Sequence, residues 1–208
     1  ALGTSVFANP VVDNIAHGDV SIQQTNTTTT VNQASQKGIV NWQSFNINNG
    51  EHTHFNQPAG GVTLNRINPN QGASQIYGHL SATGKIILVN PAGVFIGPNA
   101  FVNVGGIIAS TAGITDANFL NGIYKFDQLS PYAGAIVNKG TIIAAEHGLI
   151  ALMGNGVNNE GYIQANMGTV ALASGEAFTL SFGGNDLIQF VGDRKTFQRG
   201  GAANGNIL

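Results

Sequence analysis

The 208-residue sequence contains no cysteine. Disulfides, thiolate zinc sites, iron–sulfur clusters and a cysteine nucleophile are therefore excluded. Charge is nearly as scarce: Asp, Glu, Lys and Arg make up 9% of the residues, against roughly a quarter in an average globular chain. With eight Lys and Arg and a net charge of −2, the chain lacks the electrostatic footprint of a nucleic-acid or anionic-membrane binder. No apolar run reaches the ~18 residues of a membrane-spanning helix. Helix signals are poor throughout. Hydrophobic residues nevertheless make up 42%, enough to build a core, which argues against a disordered chain.

What the sequence has instead is 29 Gly and 25 Asn, with breakers every few residues between short runs rich in Thr, Val and Ile. That is the pattern of many short strands. It also repeats. Gly78–Leu88, Gly140–Leu152 and Gly161–Leu172 share the form G-x-[LI]-x-A, a second Gly, then two apolar residues at alternate positions, and Gly105–Ala109 is a partial copy. Each copy reads as two alternating strands joined by a bend at the inner Gly. Val-Asn pairs recur at Val89-Asn90, Val102-Asn103, Val137-Asn138 and Val157-Asn158.

One such unit cannot bury its apolar side alone, whereas stacked units can. The repeat thus predicts an all-β chain, a parallel β-helix, in preference to an antiparallel sandwich. Asn ladders at its turns and Gly in the left-handed region at its corners are expected. At roughly 20 to 25 residues per coil the length suggests about eight to ten coils, or about 40 to 50 Å at ~4.8 Å per strand. Residues 17–57 are read as first coils plus a cap over the open end of the core. Thr115–Pro131, with Phe119, Tyr124 and Phe126, breaks the repeat and is expected to leave the helix as a hairpin packed on one side.

The ends differ from the middle. Residues 1–8 end in Val6-Phe7-Ala8, which fits the last positions before a signal-peptidase cut or else an ordinary first strand. Residues 194–208 are rich in Gly, Ala and Asn and read as the start of a connection to a C-terminal remainder.

Few residues suggest chemistry. Asn90-Pro91-Ala92-Gly93 has the composition of a type I turn and leads into the apolar Val94-Phe95-Ile96; Asn68-Pro69-Asn70 is a second such turn. His52 and His54 alternate in a strand, so both rings leave one face while Glu51 points to the other. Two ligands do not make a metal site. His17, His79 and His147 read as isolated. No G-x-S-x-G elbow is present. The ten acids are spread thinly; Glu160 and Glu176 could meet between coils, but solvated turns are the simpler reading. Gly183–Leu187 resembles half of a calcium-binding nonapeptide, and Asn26-Thr27-Thr28 is a glycosylation sequon that an Asn- and Thr-rich chain produces by chance. Trp42 and Phe45 have opposite parity in a plain strand, so one of them is expected in the core or the cap. No catalytic set, no metal and no cofactor is expected.

The ordered motifs Asn41–Ile47, Phe55–Pro58, Leu64–Arg66, Ser74–Gly78, Gly84–Gly97 and Val102–Thr111 resemble the secretion (TPS) domain of filamentous-haemagglutinin-like exoproteins, most of all its high-molecular-weight-adhesin branch. The resemblance runs from about residue 9 to about residue 190. It implies a right-handed parallel β-helix with an N-terminal cap, spanning 9–193. It also implies the N-terminal part of a large two-partner-secretion exoprotein, recognised by the POTRA domains of a TpsB-type outer-membrane barrel, exported through the periplasm of a Gram-negative bacterium, and secreted or held at the cell surface. The isolated domain is expected to be monomeric, and the whole protein an adhesin. The family's Asn-Pro-Asn-Gly-Ile motif stands here as Asn90-Pro91-Ala92-Gly93-Val94, with Ala92 lacking an amide. Its Asn-Pro-Asn-Leu motif stands as Asn68-Pro69-Asn70 followed by Gln71. The resemblance implies a role for these residues in partner recognition or as structural turns. The competing expectations are an adhesive module that itself binds carbohydrate or protein, and a carbohydrate-active β-helix enzyme, which the sparse charge disfavours.

Overall fold

The computed structural model describes residues 9–182 and 188–192. Two strands come first, β1 (Val11–His17) and β2 (Val20–Gln24). Six coils follow. The first holds β3 (Thr28–Gln33) and β4 (Lys37–Ser44). The second holds β5 (His52–Asn56), β6 (Val62–Ile67), a 3-10 turn (Pro69–Gln71) and β7 (Ser74–Ile76). The third holds β8 (His79–Ala82), β9 (Lys85–Val89) and β10 (Val94–Ile96). The fourth begins with β11 (Phe101–Val104) and β12 (Gly106–Ser110), leaves the helix through α1 (Asp116–Leu120) and β13 (Tyr124–Phe126), and returns at β14 (Ala135–Asn138). The fifth holds β15 (Thr141–Ala144), β16 (Leu149–Gly154) and β17 (Gly156–Asn159); the sixth holds β18 (Tyr162–Ala165) and β19 (Thr169–Ser174). Strands β20 (Phe178–Phe182) and β21 (Ile188–Gly192) then join β13 in a small antiparallel sheet outside the coils.

Parallel pairing stacks the coils into three faces. The first face is β3-β5-β8-β11-β15-β18, the second β4-β6-β9-β12-β16-β19, and the third β7-β10-β14-β17. This is the expected parallel β-helix, and each copy of the sequence repeat turns the corner from the first face to the second. Six coils fall short of the eight to ten expected, because the N-terminal cap, the excursion and β20–β21 lie outside the stack. Five strand spacings of ~4.8 Å give a stack only about 24 Å long.

The repeat glycines serve a different purpose from the one expected. Gly84, Gly105, Gly148 and Gly168 form a column at the corner between the first two faces, and none has positive φ. A Cβ on each would lie within 3 Å of the carbonyl oxygen of the glycine one coil below: Gly61, Gly84, Gly105 and Gly148 in turn. Close approach of stacked backbones, rather than a left-handed conformation, demands glycine there.

The first core fills the helix, with Val31, Trp42, Phe45, Phe55, Leu80, Ile86 and Leu152 among its fully buried members. Trp42 and Phe45 both enter it, with ring centroids 5.2 Å apart and edge to face. The expectation that only one would do so fails because β4 ends at Ser44, so strand parity no longer governs Phe45. A second core lies outside the second face. Ile39, Leu64, Ile87, Ile108, Ala151 and Met153 meet Phe119 and Phe126 of the excursion and Phe178 and Leu180 of β20. The second face is thus buried on both sides, which is why β9 and β16 are almost continuously apolar. The excursion is a short helix plus a strand paired to β20, not a self-contained hairpin.

Two cations tether it. Lys37 Nζ donates to the carbonyls of Phe119 (3.1 Å) and Leu120 (2.7 Å) at the C-terminal end of α1. Arg66 donates to Ile114 O at 2.6 Å and pairs with Asp116. Lys37→Met keeps the stem and removes both charged hydrogen bonds, so it should cost about 1–2 kcal/mol. Urea denaturation reads that cost, and limited proteolysis should cut earlier within residues 113–134.

At the N-terminal end, β2 pairs antiparallel with β3, and its Val20 and Ile22 pack against the first core. β1 pairs antiparallel with β4, with register shifts at three places. These two strands form the cap. Residues 1–8, the reading of a signal remnant or first strand, lie outside the described residues, as does Gly183–Leu187.

Candidate functional site

The two Asn-Pro turns, separate in sequence, come together at the corner between the second and third faces. Asn90 follows β9 and is fully buried. Its carbonyl accepts from Gly93 N at 2.9 Å, closing the turn, and its own N–H donates to Ser110 O on the next coil at 3.0 Å. The side-chain amide is used at both ends. Oδ1 accepts from Ala92 N (3.0 Å), while Nδ2 donates to Gly72 O (3.1 Å) and to Ser74 Oγ (3.0 Å) on the previous coil. Gly93 adopts φ 112°, where a side chain would be strained. Its carbonyl accepts from Ser74 N at 3.0 Å, and Val94 then enters the first core.

The second motif lies one coil below. Asn68 caps the 3-10 turn, its Oδ1 accepting from Asn70 N at 3.0 Å. It is held to the first coil by Asn68 N to Trp42 O (2.9 Å) and by Nδ2 to Gln43 Oε1 (3.2 Å). The link between the motifs is the bond from Asn90 to Gly72 O, at the end of that same turn. From above, Gly134 N donates to Pro91 O at 3.1 Å, and the Tyr132 hydroxyl donates to Asn70 Oδ1. The arrangement ties together four successive coils, from Trp42 of the first to Ser110 and Gly134 of the fourth. Asn90 offers nothing to a surface partner, whereas Asn70, Gln71 and Tyr132 are exposed and Pro91 and Ala92 half-buried.

Gly72 and Gly134 belong to this corner but escaped sequence reading, and Ser74 and Tyr132, which the sequence marks as part of a motif and as an aromatic of the excursion, were not linked to it. Nothing local makes the link, because their contacts cross 16 to 62 residues of sequence. The Val-Asn pairs do not form a ladder. Asn103 projects from the first face, and Asn138 pairs with Asn159 rather than with Asn158, through an amide bond of 2.8 Å.

The remaining candidates disperse. Glu160 is bound to Lys139 at 3.0 Å; the hydrogen bond and charge of that lysine hold its carboxyl below the usual carboxylate range. Glu176 lies instead beside Thr111, Tyr132 and Asn155. Glu51 is buried, with Oε2 accepting from Asn48 N at 2.7 Å. Asn26 is exposed in the turn before β3. His17 and His147 are exposed, but His79 is not isolated: its ring stacks on His52. Among the described residues, no three His, Asp or Glu side chains are placed to hold a metal ion, and no helix is long and apolar enough to cross a membrane.

Comparison with known proteins gives the corner a context. The family model of the TPS secretion domain matches residues 8–208. The chain is 33% identical over 182 residues to a heme/hemopexin-binding protein of Haemophilus influenzae, covering 83% of this chain and 20% of that protein. A second Haemophilus influenzae protein of the same name is 37% identical over 111 residues, covering 52% of this chain and 12% of the relative. The chain therefore spans a fifth or less of the length of these relatives. The crystal structure of the HMW1 secretion domain from Haemophilus influenzae superposes with a TM-score of 0.79 at 31% identity, covering 90% of this chain and 49% of that one.

Proposed function

Because the chain belongs to the TPS secretion-domain family, we propose that it is the targeting address and folding nucleus of a larger two-partner-secretion exoprotein. The POTRA domains of a TpsB-type outer-membrane barrel receive it in the periplasm of a Gram-negative cell. The barrel passes the exoprotein to the outside, where it is released or stays on the surface. Residues 9–193 carry the address, and 194–208 begin the connection onward. The whole protein acts as an adhesin in this reading. The name shared by the two relatives makes haem or haemopexin capture the second reading.

The observation that carries the proposal is the contrast between the two ends of the helix. The N-terminal end is covered by β2. At the other end, Val170 and Leu172 lie in register with Ile150 and Leu152, which are fully buried, yet remain 40% and 43% exposed. Val157, Ile163 and Ala165 of the last two coils are also only partly covered. A seventh coil stacked there would bury these side chains, at about 25 cal/mol per Å2 of apolar surface. Growth is blocked at one end and favoured at the other. A chain emerging N-terminus first therefore gains burial with each coil laid down, and that gain disfavours retreat through the barrel.

The test is a secretion assay. Residues 9–208 are placed behind a signal peptide and produced with and without the partner barrel, and extracellular protein is quantified. Export only with the partner is the expected result. Retention in the periplasm in both cases would reject the targeting role and favour a module that binds its ligand directly.

A further inference from the structure

The outward side of the first face carries a cluster of histidines that lies apart from the Asn90 corner. His52 and His54 project from β5. Across the seam to the third coil, His79 is in register with His52, and Ser81 with His54. The rings of His52 and His79 stack face to face, with centroids 4.2 Å apart and planes 7° from parallel. His54 lies 5.9 Å from His52, and Phe101 covers the far side of His79 at 5.3 Å. The Ser81 hydroxyl sits 2.7 Å from both His52 Nε2 and His54 Nδ1. His79 Nε2 is buried without a hydrogen-bond partner.

Neutral rings suit this arrangement. A serine hydroxyl has one proton and can accept as well, so one ring N–H donates to Ser81 Oγ while Oγ–H donates to the bare nitrogen of the other ring. Charged rings do not suit it. The residues in register on β3 are Thr28 and Thr30, and those on β11 are Phe101 and Asn103. None is titratable, and Glu51, next in sequence, is buried with its carboxylate on the Asn48 N–H. A proton added to one ring therefore meets two other imidazoles, and none of the residues in register with them carries a carboxylate.

We propose that the His52–His54–His79 cluster makes the seam between the second and third coils a proton-operated joint, closed while the stacked His52 and His79 rings are neutral and loosened when mild acid charges that pair. These are the two coils that carry the Asn68 and Asn90 turns, so the joint sets how firmly that corner is held.

The sign follows from linkage. Burial, then the neighbouring His79 and His54, push His52 below its ordinary value; burial, then His54, do the same to His79. The unfolded chain takes up protons near pH 6.5, before the folded seam does. Stability is thus full above that pH and falls as the pH drops through it towards the lower folded values.

Hydrogen exchange, corrected for the intrinsic pH dependence of the chemistry, tests the joint at pH 7.5 and 5.0. The expected result is a loss of protection in β5 and β8 on acidification that β16 does not share. In the double variant His52→Phe with His79→Phe, which keeps stacked rings without titratable nitrogens, the selective loss should vanish. If that variant does not fold, imidazole titration of the wild-type chain by NMR takes its place, with His52 and His79 expected to titrate below free histidine. Equal loss in β16, retention of the acid response in the double variant, or ordinary histidine titration would each overturn the proposal.

Discussion

Asn90→Ala should destabilise the domain by about 1–3 kcal/mol, the order expected when a buried hydrogen-bonded polar group loses its partner. The side chain is fully buried and makes three hydrogen bonds. Its loss takes the donor from the buried Ser74 Oγ and a partner from Gly72 O and Ala92 N, at an exposed and a half-buried residue that water reaches in part. Asn90→Asp should be no better. It keeps an acceptor for Ala92 N but turns a carboxylate onto the Gly72 carbonyl. Urea denaturation reads the effect as a lower midpoint with an unchanged slope. Ala92→Asn restores the amide of the related motif at a half-buried position and should change stability by no more than about 0.5 kcal/mol. The same variants separate folding from recognition. If Asn90→Ala loses export in step with stability, the turn acts by shaping the corner. A variant of wild-type stability that is no longer exported would mean that the partner reads the motif itself, before it is buried.

Gly134→Ala should be at least as damaging, at or above the upper end of the roughly 1–3 kcal/mol typical of overpacked sites. A methyl there would overlap the carbonyl carbon of Ala92, the nitrogen of Gly93 and the carbonyl oxygen of Pro91. All three are backbone atoms of the Asn90 turn, so no side chain can move aside, and the Gly134 N to Pro91 O bond would be lost as well. The control is Gly156→Ala on the coil above, where the added methyl meets only the Ala135 side chain at 3.7 Å. That change should stay within about 1 kcal/mol. Thermal and urea unfolding of the two variants side by side check the comparison. Equal effects would show that the return of the excursion onto the turn is not a tight packing point.

The two results bear on how much of this corner can be read locally. Asn90-Pro91-Ala92-Gly93 announces a turn because Asn, Pro and Gly each have their own reason to be in one. Nothing in those residues announces that Asn90 will be buried, because its partners Gly72 and Ser74 arrive from the previous coil. Gly134 stands in an unremarkable stretch, and only the return of the chain after the excursion makes it indispensable. The histidine cluster divides in the same way. The shared face of His52 and His54 follows from strand alternation. His79 looked isolated because its meeting with His52 depends on the register between β5 and β8.

The glycines draw the line most clearly. Their spacing marked the corners and the repeat, and hence the parallel β-helix. The reason they must be glycine, a carbonyl one coil away, does not exist until the coils stack. The number of coils was overestimated for a related reason: a segment that leaves the stack has the same composition of short strands and turns as one that stays in it.

What the sequence determined by itself is what short-range physics carries: strand alternation, turn chemistry, the repeat that requires stacking, and the scarcity of charge that removes whole classes of partner. What the tertiary structure alone decided is which residues meet across coils, which faces are buried twice, and which apolar side chains of the last described coil stay part-exposed. Those are contacts between residues tens of positions apart, and no local preference encodes them.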